Sequence, residues 1–334
     1  SSDVCSSDLL SGQISLEALP WLADHVVHGA VIVPGAALLD LALASGAAVG
    51  ATSLAELTLV SPVSPEEPQA LQIKVVGPDP QGRRSFSLFC RPLGREAAWT
   101  QHGVGSFAAT PPVPSRSFAE VAHWPPASAR KLEVGALREG LARRGLTYGP
   151  AFSGMQELYV DAGQQVAWAR VVWPDALRDE VTRYSVHPAL LDAAFHTLTA
   201  LVDAEQGDVM LPISFSDVVL HSIASRELRV RVALQASEEP RAQLLVFDSH
   251  GMPVLTIETM RLRRAGAEQL RALRRRSSAP LYRVAFHQPT TLPLPAAGRD
   301  AVVIAGVVTV ALRPELFKVD TGAAAAAAAA VVVV

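Results

Sequence analysis

The sequence predicts an α+β fold of two similar halves, each an antiparallel β-sheet packed against one long apolar helix. Short strand-like runs dominate residues 53–109 and again residues 155–264. Each half also has a single long apolar stretch, near residues 35–48 and 188–203, and each stretch contains "ALLD" shortly after a proline. A helix that is apolar on all sides must be covered, so we expect each helix inside a wrapped sheet. The repeated tetrapeptide indicates a duplicated unit.

The first half is predicted to contain one helix followed by four strands. The helix follows Pro34, because proline suits the first turn of a helix. The strand-like runs, broken by Pro and Gly, are "AELTLVSPV", "ALQIKVVG", "RSFSLFCRP" and "WTQHGVGSFAA". A Pro- and Ser-rich stretch over residues 111–131 favours neither helix nor strand, and we interpret it as a connector, with an ordered surface loop as the alternative.

The second half repeats this composition with one additional short helix. That helix is predicted at "VGALREGLARRG", and the long apolar helix at "HPALLDAAFHTLTALVD". The predicted strands are "MQELYVDAG", "QQVAWARVVWP", "SDVVLHSI", "ELRVRVALQAS", "AQLLVFDSHG" and "PVLTIETMRLRR".

Both ends of the chain look foreign to the fold. The opening "SSDVCSSDL" resembles a translated sequencing adapter, and the closing "GAAAAAAAAVVVV" is of low complexity, so we expect the natural protein to continue past both ends. The predicted segments are 1–9 (foreign), 10–110 (first half), 111–131 (connector), 132–265 (second half) and 266–334 (following linker, start of a next domain and tail).

Composition excludes several classes of function. The 334 residues are 49% hydrophobic, with a formal charge of −3 and a pI near 6.3, which gives no basic surface for nucleic acid or an anionic membrane. Apart from the Ala/Val tail, Pro, Gly or charge interrupts every apolar run before about 18 residues, so no membrane span is predicted. Two cysteines, Cys5 and Cys90, make neither a disulfide framework nor a metal site, as is typical of a reducing cytosol.

The second long helix carries a narrow polar stripe of Asp192, His196 and Thr199, at positions i, i+4 and i+7. Among apolar neighbours the carboxyl of Asp192 loses hydration, which favours its neutral form and would let it donate a proton near neutral pH. His196, one turn on, could orient that carboxyl. A buried pair that only satisfies itself is the alternative.

A histidine in the first half complements this carboxyl. His25 lies immediately before an apolar run, and an imidazole is the natural general base near neutral pH. An acid and a base from opposite halves could therefore meet across a shared interface. A purely structural histidine is the alternative for His25, and we interpret His28 as structural or channel-lining.

Four sequence blocks identify a family. His25, Gly29 and Pro34 fit the pattern H-x-x-x-G-x-x-x-x-P. The other blocks are "GLTYGPAF" at 145–152, "HPALLDAAFH" at 187–196 and "LPISFSDVVLHS" at 211–222. Over roughly residues 10–265 the chain resembles the dehydratase domain of modular type I polyketide synthases. The resemblance implies a double hotdog fold, in which each half is a curved antiparallel sheet wrapped around its long helix.

The resemblance also implies roles for two residues. His25 would remove the α-proton of a 3-hydroxyacyl thioester, and Asp192 would protonate the departing β-hydroxyl to leave an enoyl thioester. A backbone N–H at Gly29 would stabilise negative charge on the thioester oxygen. The alternative for Gly29 is a glycine required only by a tight turn.

Further residues take supporting roles in the same resemblance. Tyr148 would hold the substrate or the acid through its hydroxyl, while Gly149 and Pro150 shape the loop. His196 would orient the acid. The last block places Leu211 and Pro212 on the wall of a substrate channel.

The family further implies what the domain works with. We expect neither a metal nor an organic cofactor, because the substrate is carried on the phosphopantetheine of an acyl carrier protein. Ketosynthase, acyltransferase and ketoreductase domains would be neighbours in a homodimeric, cytoplasmic synthase. Arginines after residue 260 form either a carrier-protein contact or, as we favour, a solvated linker, and "PLYRVAFHQ" resembles the entry to a ketoreductase.

Because a fold alone does not fix chemistry, other functions stay open. A related enzyme could move a double bond or hydrolyse a thioester. An inactive scaffold would be marked by a missing His or Asp, whereas both are present here.

Overall fold

The structure is a computed structural model, and it describes residues 7–110, 124, 126–180, 184–202, 209–223, 226–235, 239–265, 283–287 and 307–311. Two compact units make up the chain, Ser1–Leu273 and Arg274–Val334. None of the helices in these described ranges is long and apolar enough to cross a membrane.

The first half forms five antiparallel strands of a sheet and one long helix. Its elements are β1 (Asp8–Ile14), β2 (His25–Val27), β3 (Ala30–Val31), α1 (Gly35–Ala48), β4 (Ser53–Leu59), β5 (Gln69–Val75), β6 (Arg84–Pro92) and β7 (Thr100–Phe107). The strands lie in the order β1-β5-β6-β7-β4. Alternate residues of β6, Phe86, Leu88 and Cys90, point into the core, which is the two-residue period that its sequence predicts.

The second half forms the larger part of the same sheet. Its elements are β8 (Arg130–Leu132), α2 (Val134–Arg143), β9 (Leu146–Tyr148), β10 (Met155–Asp161), β11 (Val166–Val172), α3 (Pro188–Phe195), β12 (Val209–Leu220), β13 (Glu227–Gln235), β14 (Arg241–Asp248) and β15 (Pro253–Ala265). The order continues β12-β15-β14-β13-β11-β10-β8. Because β4 pairs with β12, the two halves share one 12-stranded sheet.

The two apolar helices lie in the common core and contact each other. Pro34 occupies the cap position before α1, and Pro188 occupies the first turn of α3, as the sequence predicts. The ring of His187 accepts a hydrogen bond from the backbone N–H of Ala189 at 3.1 Å and so caps α3. Each long apolar helix therefore begins at a proline, in a position that proline favours.

The second apolar helix is shorter than predicted. It ends at Phe195 and continues only as a 3₁₀ turn, His196–Ala200, so a helix reaching residue 203 is wrong. The hydroxyl of Thr199 donates to the carbonyl of His196 at 2.6 Å, which satisfies a carbonyl that the helix leaves free. Thr199 thus serves the end of the helix.

A three-stranded ribbon, in the order β3-β2-β9, joins the halves at a second place. His25 of β2 pairs with Tyr148 of β9. The turn from β2 to β3 consists of His28 and Gly29, whose φ angles are 46° and 78°. A two-residue hairpin with positive φ at both positions is a type I′ turn, which favours glycine. The sequence patterns did not predict this ribbon.

The predicted segment boundaries remain predictions, although some residues beside them belong to strands or pack against strands. Asp8 and Leu9, assigned to a foreign segment, pair with Val75 and Lys74 of β5. Arg130, assigned to the connector, already belongs to β8. Of the rest of the connector, the ring of Trp124 packs edge-on to Tyr159 at 6.4 Å.

In the second unit, β16 (Arg283–His287) pairs with β17 (Val307–Ala311).

Of the arginines after residue 260, Arg261, Arg263 and Arg264 belong to β15. Arg261 bonds Glu239 at 2.9 Å. Arg271, Arg274, Arg275 and Arg276 lie outside the described residues, as do the low-complexity tail and residues 280–282 and 288 of the proposed ketoreductase entry.

Candidate active site

His25 is the first residue of β2 and is only 7% exposed. Its Nδ1 lies 2.7 Å from the carbonyl oxygen of Ile32. Because a carbonyl only accepts, Nδ1 carries the proton and Nε2 keeps a free lone pair. Burial lowers the pKa of His25 below its usual value, although Asp192 opposes this effect. The predicted uncharged imidazole is therefore supported, and its free nitrogen is a base.

Asp192 lies in α3 and is 8% exposed. Its Oδ2 is 4.0 Å from Nε2 of His25 and 3.1 Å from Nε2 of His196. The contact with His196 is within ion-pair distance, although neither atom has a hydrogen-bond partner of good geometry among the described residues. The two side chains singled out in opposite halves thus meet in one buried cluster.

The ionisation of Asp192 differs from the prediction. Burial is the largest influence and raises its pKa, but the charge and contact of His196, together with His25, outweigh burial and hold the pKa below its usual value. The prediction of a neutral carboxyl is therefore wrong for the free protein. It counted the apolar neighbours along the helix but gave no weight to how the two imidazoles, which lie within 4.0 Å, lower the pKa of the carboxyl.

Tyr148 completes the cluster from β9. Its ring centroid is 4.2 Å from that of His196 and 5.5 Å from that of His25. Burial, and to a lesser extent the charge of Asp192, raise the pKa of Tyr148 well above its usual value. Its phenol is therefore neutral and can donate a hydrogen bond.

A cavity of about 190 Å³ opens beside the cluster. Its wall contains Val134, Leu137, Arg138, Leu141, Tyr148, Gly149, Pro150, Phe152, Ser153, Met155 and His196. Tyr148 and His196 face this cavity and also contact His25 and Asp192, which are not part of its wall. A molecule in the cavity would thus touch the two rings that cover the acid–base pair.

Two family models match the chain. One, described as "Polyketide synthase dehydratase domain", matches residues 3–91, and the other, "Polyketide synthase dehydratase N-terminal domain", matches residues 118–272. A solved structure described as "Structural insights into dehydratase substrate selection for the borrelidin and fluvirucin polyketide synthases" is 34% identical, with a TM-score of 0.69, covering 76% of this chain and 89% of that one. The chain belongs to the polyketide synthase dehydratase family.

Other dehydratase structures and two curated synthases agree with this assignment. The erythromycin dehydratase is 31% identical with a TM-score of 0.67, covering 77% of this chain and 91% of that one. Polyketide synthase GfsA of Streptomyces halstedii is 36% identical over 84% of this chain, and Mycoketide-CoA synthase of Mycobacterium tuberculosis (strain ATCC 25618 / H37Rv) is 37% identical over 79%. The chain spans only 4% and 6% of the length of these two synthases. The predicted double hotdog fold is confirmed.

Within this dehydratase, the remaining residues of the sequence motifs fall in different places. Gly149 and Pro150 form part of the cavity wall, as predicted for the loop. Gly29 is exposed in the type I′ turn, and the positive φ angle of that turn is by itself sufficient reason for a glycine. Its contact with a thioester stays a prediction. Pro34 caps α1.

Leu211 and Pro212 do not lie on the wall of this cavity, so their predicted place on a channel wall is not observed there. Leu211 packs into a small cluster around Leu141 and Leu146, one layer behind the wall. The reason is that both residues belong to β12, which pairs with β15 at this point and bulges after Pro212.

Sequence reasoning missed two residues that hold the dehydratase site together. Oδ2 of Asp24 accepts a hydrogen bond from the backbone N–H of Ala151 at 2.8 Å. The guanidinium of Arg138 donates to the carbonyls of Ser153 and Met155 at 2.6 and 3.0 Å, which anchors α2 beside the cavity. A charge directly before His25 in an apolar stretch could have drawn attention to Asp24. The sequence gives no such signal for Arg138, because it is one of several charged residues on an amphipathic helix.

Proposed function

We propose that this chain removes water from a 3-hydroxyacyl thioester to give an α,β-enoyl thioester. The observation that carries the proposal is the buried cluster in which a neutral imidazole, His25, and a carboxyl, Asp192, meet from opposite halves at 4.0 Å. Oδ2 of Asp192 and Nε2 of His196 are buried without a well-aligned hydrogen bond among the described residues. Since buried polar atoms are normally satisfied, a substrate hydroxyl is a fitting partner for them.

The first step is removal of the α-proton by Nε2 of His25. As the imidazole takes up this proton, the carbonyl of Ile32, 2.7 Å from Nδ1, stabilises the cation that forms. The electron pair of the broken C–H bond moves toward the thioester as an enolate, and it becomes the new carbon–carbon double bond only when the C–O bond breaks in the second step. Negative charge on the thioester oxygen would be stabilised by a backbone donor, the role that the family gives to Gly29.

The second step is protonation of the leaving hydroxyl by Asp192. The free protein keeps this carboxyl largely ionised, so it must take up a proton before it can act as the acid. A bound substrate excludes water, which favours the neutral carboxyl, and Oδ2 takes up one proton from solvent as the substrate binds. The C–O bond then breaks and one water molecule leaves. The proton on His25 returns to Asp192, which restores the starting state.

The wider setting is part of the same proposal. The substrate would be carried on the phosphopantetheine of an acyl carrier protein, and the chemistry uses no other cofactor. The relatives are segments of long multidomain synthases, which supports neighbouring ketosynthase, acyltransferase and ketoreductase domains. We extend the proposal to a homodimeric synthase in the cytoplasm.

The test uses the whole chain with a 3-hydroxyacyl pantetheine thioester and follows the loss of one water by mass spectrometry. We expect turnover from the wild type, and a decrease of about 10²–10⁴-fold in His25→Gln and in Asp192→Asn. Two matched controls are His102→Gln, a buried histidine that bonds Ser61, and Asp40→Asn, the aspartate of the other "ALLD". Both should keep activity.

Each other outcome has a definite meaning. A folded wild type that releases no water would overturn the proposal in favour of a scaffold. Release of a free acid would indicate thioester hydrolysis, and an enoyl substrate rearranged without change of mass would indicate double-bond migration. Activity that survives His25→Gln and Asp192→Asn would reject the assigned residues.

A further inference from the structure

We infer that Asp24 is a positioning residue, which together with Gly149 holds the loop that carries Tyr148 against the strand that carries His25. The inference rests on the proposed function, because it concerns how that site is held. It assigns to Asp24 a task that requires both its backbone carbonyl and its carboxylate.

Asp24 makes two hydrogen bonds to one short segment of the other half. Its backbone carbonyl accepts from the N–H of Gly149 at 2.8 Å, and its Oδ2 accepts from the N–H of Ala151, also at 2.8 Å. The next residue, His25, is the β-partner of Tyr148. One residue thus holds the segment that follows Tyr148 through both its backbone and its side chain, directly beside His25.

Gly149 shows how closely this segment approaches. A Cβ at this position would lie 2.3 Å from Oδ1 and 2.4 Å from Cγ of Asp24. The φ angle of Gly149 is −84°, which every residue can adopt, so the requirement for glycine comes from space and not from conformation. The carboxylate of Asp24 therefore occupies the place where a side chain at 149 would be.

The segment held by Asp24 also shapes the site. Pro150–Phe152 forms a 3₁₀ turn on the cavity wall, and the ring of Phe152 lies 5.3 Å from that of His25. Release of the turn would let the imidazole and the phenol move relative to each other. Since a displacement of about 1 Å can cost about 10²-fold in rate, we expect the effect on kcat.

The test compares four variants and one control variant of the whole chain in the dehydration assay. Asp24→Asn keeps an oxygen acceptor and should retain kcat within about 3-fold, whereas Asp24→Ala should lower kcat by about 10–10²-fold with KM changed less than about 3-fold. Gly149→Ala should lose at least as much. The double variant Asp24→Ala/Gly149→Ala should lose less than the product of the two single losses, because the contacts with Oδ1 and Cγ are gone and only the contact with Cβ of residue 24, at 2.8 Å, remains. Gly163→Ala, in an exposed turn with room for a Cβ, is the control and should be unaffected.

A second measurement does not depend on turnover. In chains labelled with ¹³C at histidine Cε1, the resonance of His25, assigned with His25→Gln, should shift in Asp24→Ala and Gly149→Ala but not in Asp24→Asn. If Gly149→Ala does not fold, recovery of folding in the double variant supports the clash, and its absence overturns it.

The failures are distinguishable. A wild type without turnover rejects the proposed function, while the His25 resonance still decides whether Asp24 holds the site. Unchanged kcat in Asp24→Ala, an unmoved resonance, or multiplicative losses in the double variant would each overturn the positioning role.

Discussion

Asp40 provides a test of how the burial of a carboxyl changes the free energy of unfolding. It ends the first "ALLD", as Asp192 ends the second. Burial raises the pKa of Asp40 from 3.8 to about 7, and within the described residues it has neither a hydrogen-bond nor an ion-pair partner. Asp40→Asn removes the ionisable group and nearly preserves its shape. We expect this variant to be more stable than the wild type near neutral pH.

The sign and size follow from proton linkage. Between pH 3.8 and about 7 the folded chain keeps a proton on Asp40 that the unfolded chain releases, so the stability of the wild type falls as pH rises through this window. The full shift corresponds to on the order of 4 kcal/mol in the free energy of unfolding, reached above about pH 7. At about pH 5 the penalty is only about 2 kcal/mol. The gain from Asp40→Asn should therefore grow with pH.

The assay is urea unfolding of both chains at about pH 5 and about pH 8. Asp192→Asn is the matched control with the opposite sign, because the pKa of Asp192 is lowered and its ionised form stabilises the fold above the unfolded pKa. It should lose stability near neutral pH. A gain for Asp40→Asn that is absent, or equal at the two pH values, would refute the reasoning.

Three further expectations concern the reaction. Because burial lowers the pKa of His25 from 6.5, the acid limb of kcat/KM against pH should fall below 6.5, and a limb above that value would contradict a buried base. Tyr148→Phe keeps the ring packed on His196 but removes the donor, so kcat should fall about 10-fold with little change in urea unfolding, and an unchanged kcat would exclude the hydroxyl from the reaction. Arg138→Ala removes the hydrogen bonds that hold α2 to the carbonyls of Ser153 and Met155. KM for the thioester should therefore rise about 3- to 10-fold, while kcat falls by a smaller factor. A decrease confined to kcat would place Arg138 in the chemistry instead.

Long elements were predictable from the sequence because they carry a period. β6 was predicted over its full length, since its buried residues alternate, and α1 over its full length, since proline precedes an apolar run. The ribbon of β2, β3 and β9 was not predicted, because strands of two or three residues are too short to show alternation. Yet this ribbon brings His25 next to Tyr148.

The candidate site was predictable to the extent that motifs mark it. The pattern around His25 and the stripe on the second helix located two side chains that the fold brings together. The ionisation of Asp192 was not predictable, because it depends on imidazoles whose distances only the folded chain defines. Asp24 was missed for the same reason, since its partners lie more than a hundred residues away in sequence.

The pairing of β4 with β12 has a consequence for how this chain is made. Synthesis proceeds from the amino end, and about 150 residues separate the end of β4 from the start of β12, so at roughly 5–20 residues per second β12 emerges about 8–30 s after β4. During this interval the edge of β4 lacks its neighbour and the apolar face of α1 lacks α3. The nascent first half therefore exposes an unpaired strand edge and an apolar helix face, to which chaperones or other nascent chains can bind. We expect the risk of aggregation to be greatest during this interval.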